Sequence, residues 1–310
     1  MLLKDIRDYQ ILFLASFLVL GIGTRDWTLR PELIAVAIAT SLSTQLVLSL
    51  VFSYKVPIGG NLRSDFALSH WSLANNKGQM TDDKKQNLNL RSALITSLGL
   101  SLLLRADHWT TMAIAVASAI ASKFIFRFGD KHFFNPGNFG IISALILTRD
   151  AWVSPGQWGE EWWYGLIFAG TGGMVLQRIG RWDTTAAFLG AYSLLEAVRN
   201  FWLGWTWDVY WHRLMSGSLL LFALFMITDP RSIPNSRIGR IVWAICIAGL
   251  TFILRNYFFI STAVFWALFV LAPLTVLLDF LWLAPRFSWQ KVDEAAGENS
   301  YNSSLLTPNS

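Results

Sequence analysis

Charge is scarce in this chain: only 15% of its 310 residues are Asp, Glu, Lys or Arg, while 54% are hydrophobic. A soluble domain carries roughly a quarter charged residues. With a mean hydropathy of +0.43, the shortage excludes an ordinary soluble protein and points to an integral membrane one. Cysteine is nearly absent. The single Cys246 excludes an intramolecular disulfide and a cysteine-ligated cluster, and its apolar surroundings read as a buried inert thiol. Histidine is sparse too. His70, His108, His132 and His212 fall in separate loops and ends, without the helical spacing of a metal or bis-histidine haem site. No nucleophile elbow or phosphate loop occurs. Gly170-Thr171-Gly172-Gly173 lies in an apolar helix with no strand before it, so close helix packing explains it better than nucleotide binding.

What the chain has in plenty is tryptophan, 16 in all. Indoles collect at membrane–water interfaces, and Trp27, Trp109, Trp152, Trp158, Trp162 and Trp163 stand where apolar segments begin or end. The formal charge of +5 needs no nucleic acid, since basic loops on one membrane face account for it. The stretch from Ile11 to Ile22 has no small-residue cleavage site after it and reads as a retained helix.

A spanning helix takes about 20 mostly apolar residues. That criterion marks ten segments: 9–23, 33–53, 91–105, 108–128, 137–150, 161–178, 183–202, 208–228, 239–256 and 259–283. Ten crossings put both termini on one side. That side then holds Lys4, Arg7, Arg127, Lys131, Arg178, Arg181, Arg231, Arg237 and Arg240, with further bases from the 54–90 loop and the C-terminal stretch. The opposite loops hold far fewer, among them Arg105, Arg149, Arg199, Arg213 and Arg255. The asymmetry places both ends in the cytoplasm. The expected architecture is an all-α membrane domain over 1–290, interrupted by a polar cytoplasmic loop at 54–90, then a disordered tail at 291–310. A faint repeat runs at an offset of five spans: Lys123 to Arg127 ahead of Phe133-Phe134 parallels Thr251 to Arg255 ahead of Phe258-Phe259. That offset inverts the second copy.

The most telling segment is Phe134-Asn135-Pro136-Gly137-Asn138-Phe139-Gly140. Proline removes a backbone donor and glycine loosens a helix, so polar backbone is freed where hydrocarbon would surround it. Asn135 and Asn138 either converge on a ligand or cap the flanking helices. Thr228-Asp229-Pro230 closes the eighth segment. Asp229 serves an ion path or a cofactor, or else caps the next element. Lys123, inside the fourth segment, snorkels outward or holds an anionic or carbonyl-bearing ligand. Glu196 and Arg199 are spaced to pair along one helix, and Asp279 has Arg286 nearby.

At these motifs the chain resembles the RnfD/NqrB family, membrane components of ion-translocating electron-transfer complexes. Ser92-Ala93-Leu94-Ile95-Thr96 resembles that family's Ser-Ala-Leu-Leu-Thr, and Lys123 with Phe134-Asn135-Pro136 its Ala-Lys and Phe-Asn-Pro-Ala. Ser216-Gly217 followed by Phe225-Met226-Ile227-Thr228-Asp229-Pro230 resembles its Ser-Gly-Ala-Thr and Thr-Asp-Pro run. Asn235 to Arg240 and Asp279 to Arg286 also follow it, so the likeness covers roughly residues 90 to 287.

The resemblance implies ten helices in two inverted five-helix repeats in the bacterial inner (plasma) membrane. It also implies electron transport coupled to sodium or proton movement, a non-covalent riboflavin, and FMN esterified to an extracytoplasmic threonine. This chain departs from that pattern. The segment from Arg149 to Glu161 is short, and Ser154-Pro155-Gly156-Gln157 contains no threonine, so covalent FMN is not expected. Gly137 replaces the motif alanine, and Ser218 stands where the second Ser-Gly-Ala-Thr pattern would continue. A short divergent branch of this kind is termed UnbU-like, after enediyne gene clusters.

The resulting expectation is a polytopic electron-transport protein holding a non-covalent flavin (riboflavin or FMN) through Lys123, Phe134, Asn135, Asn138, Phe139, Thr228 and Asp229. Phe134 and Phe139 would face the flat ring. Its partners are the lipid bilayer and other membrane or redox subunits reached through the 54–90 loop. The rival expectations are a channel or transporter for a small polar solute or ion, and a non-redox docking subunit.

Overall fold

A computed structural model describes residues 5–25, 30–54, 90–129, 131–154, 163–285 and 287. The expected 54–90 loop and 291–310 tail, Arg286, and the Ser154 to Glu161 segment from residue 155 onward lie essentially outside these residues.

The first half begins with α1 (Ile6–Leu20), which the Asp5 carboxylate caps by accepting the Arg7 N–H at 2.9 Å, and which ends in one π-turn, Gly21–Arg25. Helices α2 (Pro31–Tyr54), α3 (Leu90–Leu103), α4 (Trp109–Ile125) and α5 (Pro136–Leu147) follow. The second half holds α6 (Trp163–Ile179), α7 (Trp182–Trp202), α8 (Trp207–Leu214), α9 (Gly217–Leu221), α10 (Arg237–Asn256), α11 (Ala263–Leu271) and α12 (Leu274–Leu281). Helix α9 runs on as a π-turn, Phe222–Met226.

Taking α8 with α9, and α11 with α12, a helical unit falls on each of the ten marked segments. Length and composition alone qualify two helices among the described residues to cross a membrane, α2 over Pro31–Phe52 and α10. Two bent units would bring the number to four: α8 with α9, turned by 51°, and α11 with α12, turned by 50°. Pro273 explains the second bend, since it cannot donate to the ladder.

The fold is not purely helical. The expected third helix stops at Leu103, and strand β1 (Leu104–Ala106) pairs antiparallel with β4 (Ala151–Val153). Strands β2 (Arg127–Phe128) and β3 (Lys131–His132) form a hairpin between α4 and α5. Gly129 turns it at φ +62°, a left-handed conformation that suits glycine.

Packing repeats across the two halves. Helix α2 lies on α4, α4 on α5 and α1 on α3; five units later α7 lies on α10, α10 on α11 and α6 against the α9 π-turn. Where the halves meet, α1 touches α6 and α5 touches α11, so units touch their own counterparts. Glycine sets two of these approaches. A Cβ on Gly140 would come within 2.6 Å of the Ala115 carbonyl oxygen, and one on Gly172 within 2.8 Å of Leu224. Gly170 and Gly173 have open space around them, so the packing read into that glycine run belongs to Gly172 alone.

Two side-chain expectations are corrected. Cys246 is exposed: α10 buries Trp243, Ala244, Ile247, Ala248 and Thr251, and position 246 falls off that stripe. Glu196 does not pair with Arg199. It turns into the α7–α10 contact, where Arg213 and Asn256 each hold one of its oxygens at 2.9 Å, while Arg199 lies over the Trp205 ring at 4.6 Å. Asp279 pairs with Lys131 at 2.6 Å, bringing the β2–β3 hairpin against α12, while Arg286 lies outside the described residues.

Candidate functional site

The hairpin delivers the chain into α5 through Asn135. Its side-chain oxygen accepts the Asn138 N–H at 2.9 Å, and Pro136 occupies the first helical position, where no donor is needed. The Asn135 amide nitrogen donates to the Met226 carbonyl at 3.0 Å. That carbonyl ends a π-turn, where the regular helical ladder is interrupted. One asparagine thus starts α5 and ties it to the other half of the molecule. Both arms of its amide are committed, which is the capping alternative read from the sequence.

A cleft opens beside this staple. Its walls are α1 at Arg7, Gln10 and Leu14, and α3 from Ser92 to Leu103. Asn135, Pro136 and Gly137 supply the start of α5, and Val175 and Ile179 come from α6. The chain from Leu221 to Arg231 closes it. Including its open mouth, the space is about 1050 Å³. The lining includes the apolar Leu102, Leu103, Leu224, Phe225 and Met226 and the polar Thr228, Asp229 and Arg231.

Of the seven residues singled out in the sequence, Asn135, Thr228 and Asp229 line the cleft. Thr228 is buried and donates its hydroxyl to the Leu224 carbonyl at 2.8 Å. Lys123 stands behind the wall. Its ammonium donates to the Ser92 hydroxyl at 3.1 Å and the Thr96 hydroxyl at 3.0 Å, both groups belonging to the cleft lining. It is turned inward and only 8% exposed, so it does not snorkel. Asn138 is buried, donates to the Phe265 carbonyl at 3.1 Å, and leaves its own side-chain oxygen unpaired. It is not in the cleft wall. Nor are Phe134 and Phe139, whose rings pack on each other and on Phe126 and Phe269, Phe134 stacking on Phe269 at 5.0 Å.

His132, read from the sequence as a lone interfacial residue, also lines the cleft. It is 5% exposed, and its Nε2 lies 3.5 Å from Asp229 Oδ2. Asp229 Oδ1 accepts the Arg231 N–H at 3.2 Å. Burial holds the imidazole below its ordinary value, although Asp229 beside it pulls the other way. For Asp229 burial pushes the carboxyl up, but His132 and Arg231 together outweigh it and the net direction is down. A neutral imidazole therefore faces an ionised carboxylate. The sequence signal for His132 is its place three residues before Asn135; its partner is distant in the chain. No cluster of metal-ligating side chains occurs among the described residues.

Residues 148–287 match the model of the NQR2, RnfD, RnfE family. The chain is similar to an ion-translocating oxidoreductase complex subunit of Vibrio atlanticus, at 35% identity over 117 residues, 37% of this chain and 32% of that protein. The protein of the same description from Stutzerimonas stutzeri is 31% identical over 148 residues, covering 46% of this chain and 39% of its own length. That of Alcanivorax borkumensis is 25% identical over 232 residues, 54% of this chain and 66% of its own. The chain therefore spans about a third of the Vibrio relative's length, the matched share being 32%. The motifs at Ser92 to Thr96 and at Phe134-Asn135-Pro136 precede the stretch the family model covers.

Proposed function

From a chain whose residues 148–287 belong to the NQR2, RnfD, RnfE family, we infer a membrane electron-transport subunit that holds a non-covalent flavin in the cleft between its two halves. The observation that carries this reading is a meeting of motifs. The Phe-Asn-Pro segment and the Thr-Asp-Pro segment, one from each half, form adjoining parts of one cleft wall, joined by the Asn135–Met226 hydrogen bond. A ligand there would touch both halves at once. The repeated packing of the helices supports two five-helix repeats, inverted relative to one another, with ten crossings in all. Under that reading Arg7 and Arg231, which line the cleft, lie on the cytoplasmic side.

The residues present fit a flavin in part. His132 supplies an orphaned buried nitrogen at the cleft, and the apolar lining, with Phe225 and Met226, offers a bed for a flat ring. Phe134 and Phe139 act one layer back, as a stack that holds the hairpin end of α5 against α11. The Ser92–Lys123–Thr96 bonds keep the α3 wall in place. A flavin contributes the redox chemistry; the protein contributes position, water exclusion and electrostatics. Coupling to ion movement, and assembly with other subunits such as the relatives' names describe, belong to the same proposal.

The test is an absorbance and fluorescence spectrum of the detergent-purified protein, taken before and after denaturation. Flavin bands released on denaturation are the expected result. A colourless preparation that does not take up added riboflavin overturns the reading, and turns the cleft toward transport of a small polar solute or ion.

A further inference from the structure

The polar side chains around the motif wall can be sorted by whether their hydrogen bonds are already made. Asn135 uses both arms of its amide, on Asn138 and Met226. Thr228 donates within its own turn, and Ser92 and Thr96 receive Lys123. Two atoms differ. His132 Nε2 is buried and makes no hydrogen bond, and Asp229 Oδ2 lies 3.5 Å from it. That is beyond the 2.7–3.2 Å range of N–H···O bonds. Buried polar atoms are nearly always paired, so one left open asks for an explanation.

Neither side chain can easily close the gap. His132 sits in the β2–β3 ladder opposite Arg127, and its neighbour Lys131 is tied to Asp279 at 2.6 Å. Asp229 is held through its other oxygen by the Arg231 N–H and is followed by Pro230. The pair is therefore a pre-positioned donor and acceptor, side by side, one from each half of the chain.

Resting on the flavin reading, we propose that His132 Nε2 and Asp229 Oδ2 recognise the imide edge of the cleft's ligand. His132, with its proton on Nε2, donates to a ring carbonyl, while Asp229 accepts from the adjacent ring N–H. The pyrimidine edge of an isoalloxazine has this arrangement, as does a uracil-type base. A quinone does not: it offers carbonyls alone, and one would face the Asp229 carboxylate acceptor to acceptor. The pair thus fixes which end of a flavin enters and excludes quinones from this position.

The experiment measures binding to the full-length detergent-solubilised protein. Riboflavin, 3-methylriboflavin (whose ring nitrogen carries no proton) and uracil are titrated, with fluorescence quenching or competition as readout. A bond to a charged group is lost with the methyl group, so 3-methylriboflavin is expected to bind about ten- to a hundredfold more weakly than riboflavin. Asp229→Asn should weaken riboflavin by at least about tenfold yet change 3-methylriboflavin little, since it removes the bond that the methyl group already removes. His132→Phe should weaken both flavins, since the methyl group leaves the ring carbonyl in place. Equal affinity for the two flavins overturns the edge assignment and leaves the flavin reading standing. Equal weakening of both flavins by Asp229→Asn, or unchanged riboflavin affinity in His132→Phe, also overturns it. Binding of uracil without either flavin keeps the imide edge and removes the flavin. Binding of none of the three overturns both.

Discussion

Two polar clusters in this molecule are built alike and finished differently. At one, near the far end of α7, Glu196 is buried and both its oxygens are held, by Arg213 and Asn256 at 2.9 Å each, while Arg255 donates to the Tyr192 hydroxyl at 3.0 Å. At the other, His132 and Asp229 face each other across 3.5 Å with the bond unmade. The two lie toward opposite ends: in the first turn of α7, Asp183 pairs with Arg240 on the hairpin side, and Glu196 comes roughly 20 Å later along that helix. A completed network fixes helices to one another. An incomplete one, held rigid and opening on a cleft, has room for something else.

The sharpest break in the comparison is Glu196→Ala. It strips the carboxylate from Arg213 and Asn256, leaving polar groups in a buried site without their partner. Removing one member of a buried pair is strongly destabilising. Because the Arg213 side chain keeps 26% exposure and can reach water, the expected loss is about 3 kcal/mol, at the low end of the roughly 3–5 kcal/mol for breaking a buried pair. Thermal unfolding in detergent measures it. Riboflavin binding by the protein that stays folded should be unchanged; a loss of binding would erase the distinction between the two clusters.

Gly140→Ala tests the scaffold beneath the cleft. The added methyl meets the Ala115 carbonyl at 2.6 Å and must push α5 off α4. Overpacking of this kind costs about 1–3 kcal/mol. Gly170→Ala, in open space, is the matched control and should be neutral. Equal unfolding temperatures for the two variants would contradict the close α4–α5 approach. Asn135→Ala comes next. It removes an N-cap, typically worth about 1 kcal/mol, together with the tie to the Met226 carbonyl. Hydrogen exchange at the start of α5 and around residues 222–226 should rise together; a rise at α5 alone would show that the staple between the halves is not made.

These contrasts also mark what the sequence could disclose. The Phe134 to Gly140 segment and the Thr-Asp-Pro turn are legible because proline, glycine and amides are out of place in a continuous apolar run. Asn135, Thr228 and Asp229 do line one cleft. Their neighbours are less legible, since local pattern gives no direction to a side chain. Phe134 finds Phe269 from α11, a partner settled only by the packing of distant helices. Glu196 has Arg199 one turn away on its own helix, yet bonds Arg213 and Asn256 because burial against α10 decides the matter. Cys246 reads as buried because α10 is apolar on more than one side, and an exposed apolar face is what lipid permits. His132 has for signal only its place three residues before Asn135, since the Asp229 that gives it meaning belongs to the other half of the chain.

The smallest expected effect sharpens the comparison from the acid side. Around His132 stand Asp229, Arg231 and Lys123, and burial keeps the imidazole below its ordinary value of 6.5 in the folded protein. An unfolded chain takes up that proton near 6.5, so the unfolded state binds more protons as pH falls past this point. Stability from this group is thus full above about pH 6.5 and declines below it, by at most about 1.4 kcal/mol per pH unit. Asp229 does not intrude on this window, because its lowered value puts its loss at or below the ordinary 3.8. Wild type and His132→Gln should be compared by thermal unfolding between pH 7.5 and 5.5. The wild type should lose more stability over that range than the variant, whose glutamine does not titrate. His108, which is exposed and paired with Asp150 at 3.0 Å, contributes equally to both and cancels. Parallel curves would mean that the imidazole takes up its proton at the same pH folded and unfolded. A wild type that instead gained stability relative to the variant on acidification would mean an imidazole protonated in the fold and bridged to Asp229, and the two clusters would then be finished alike.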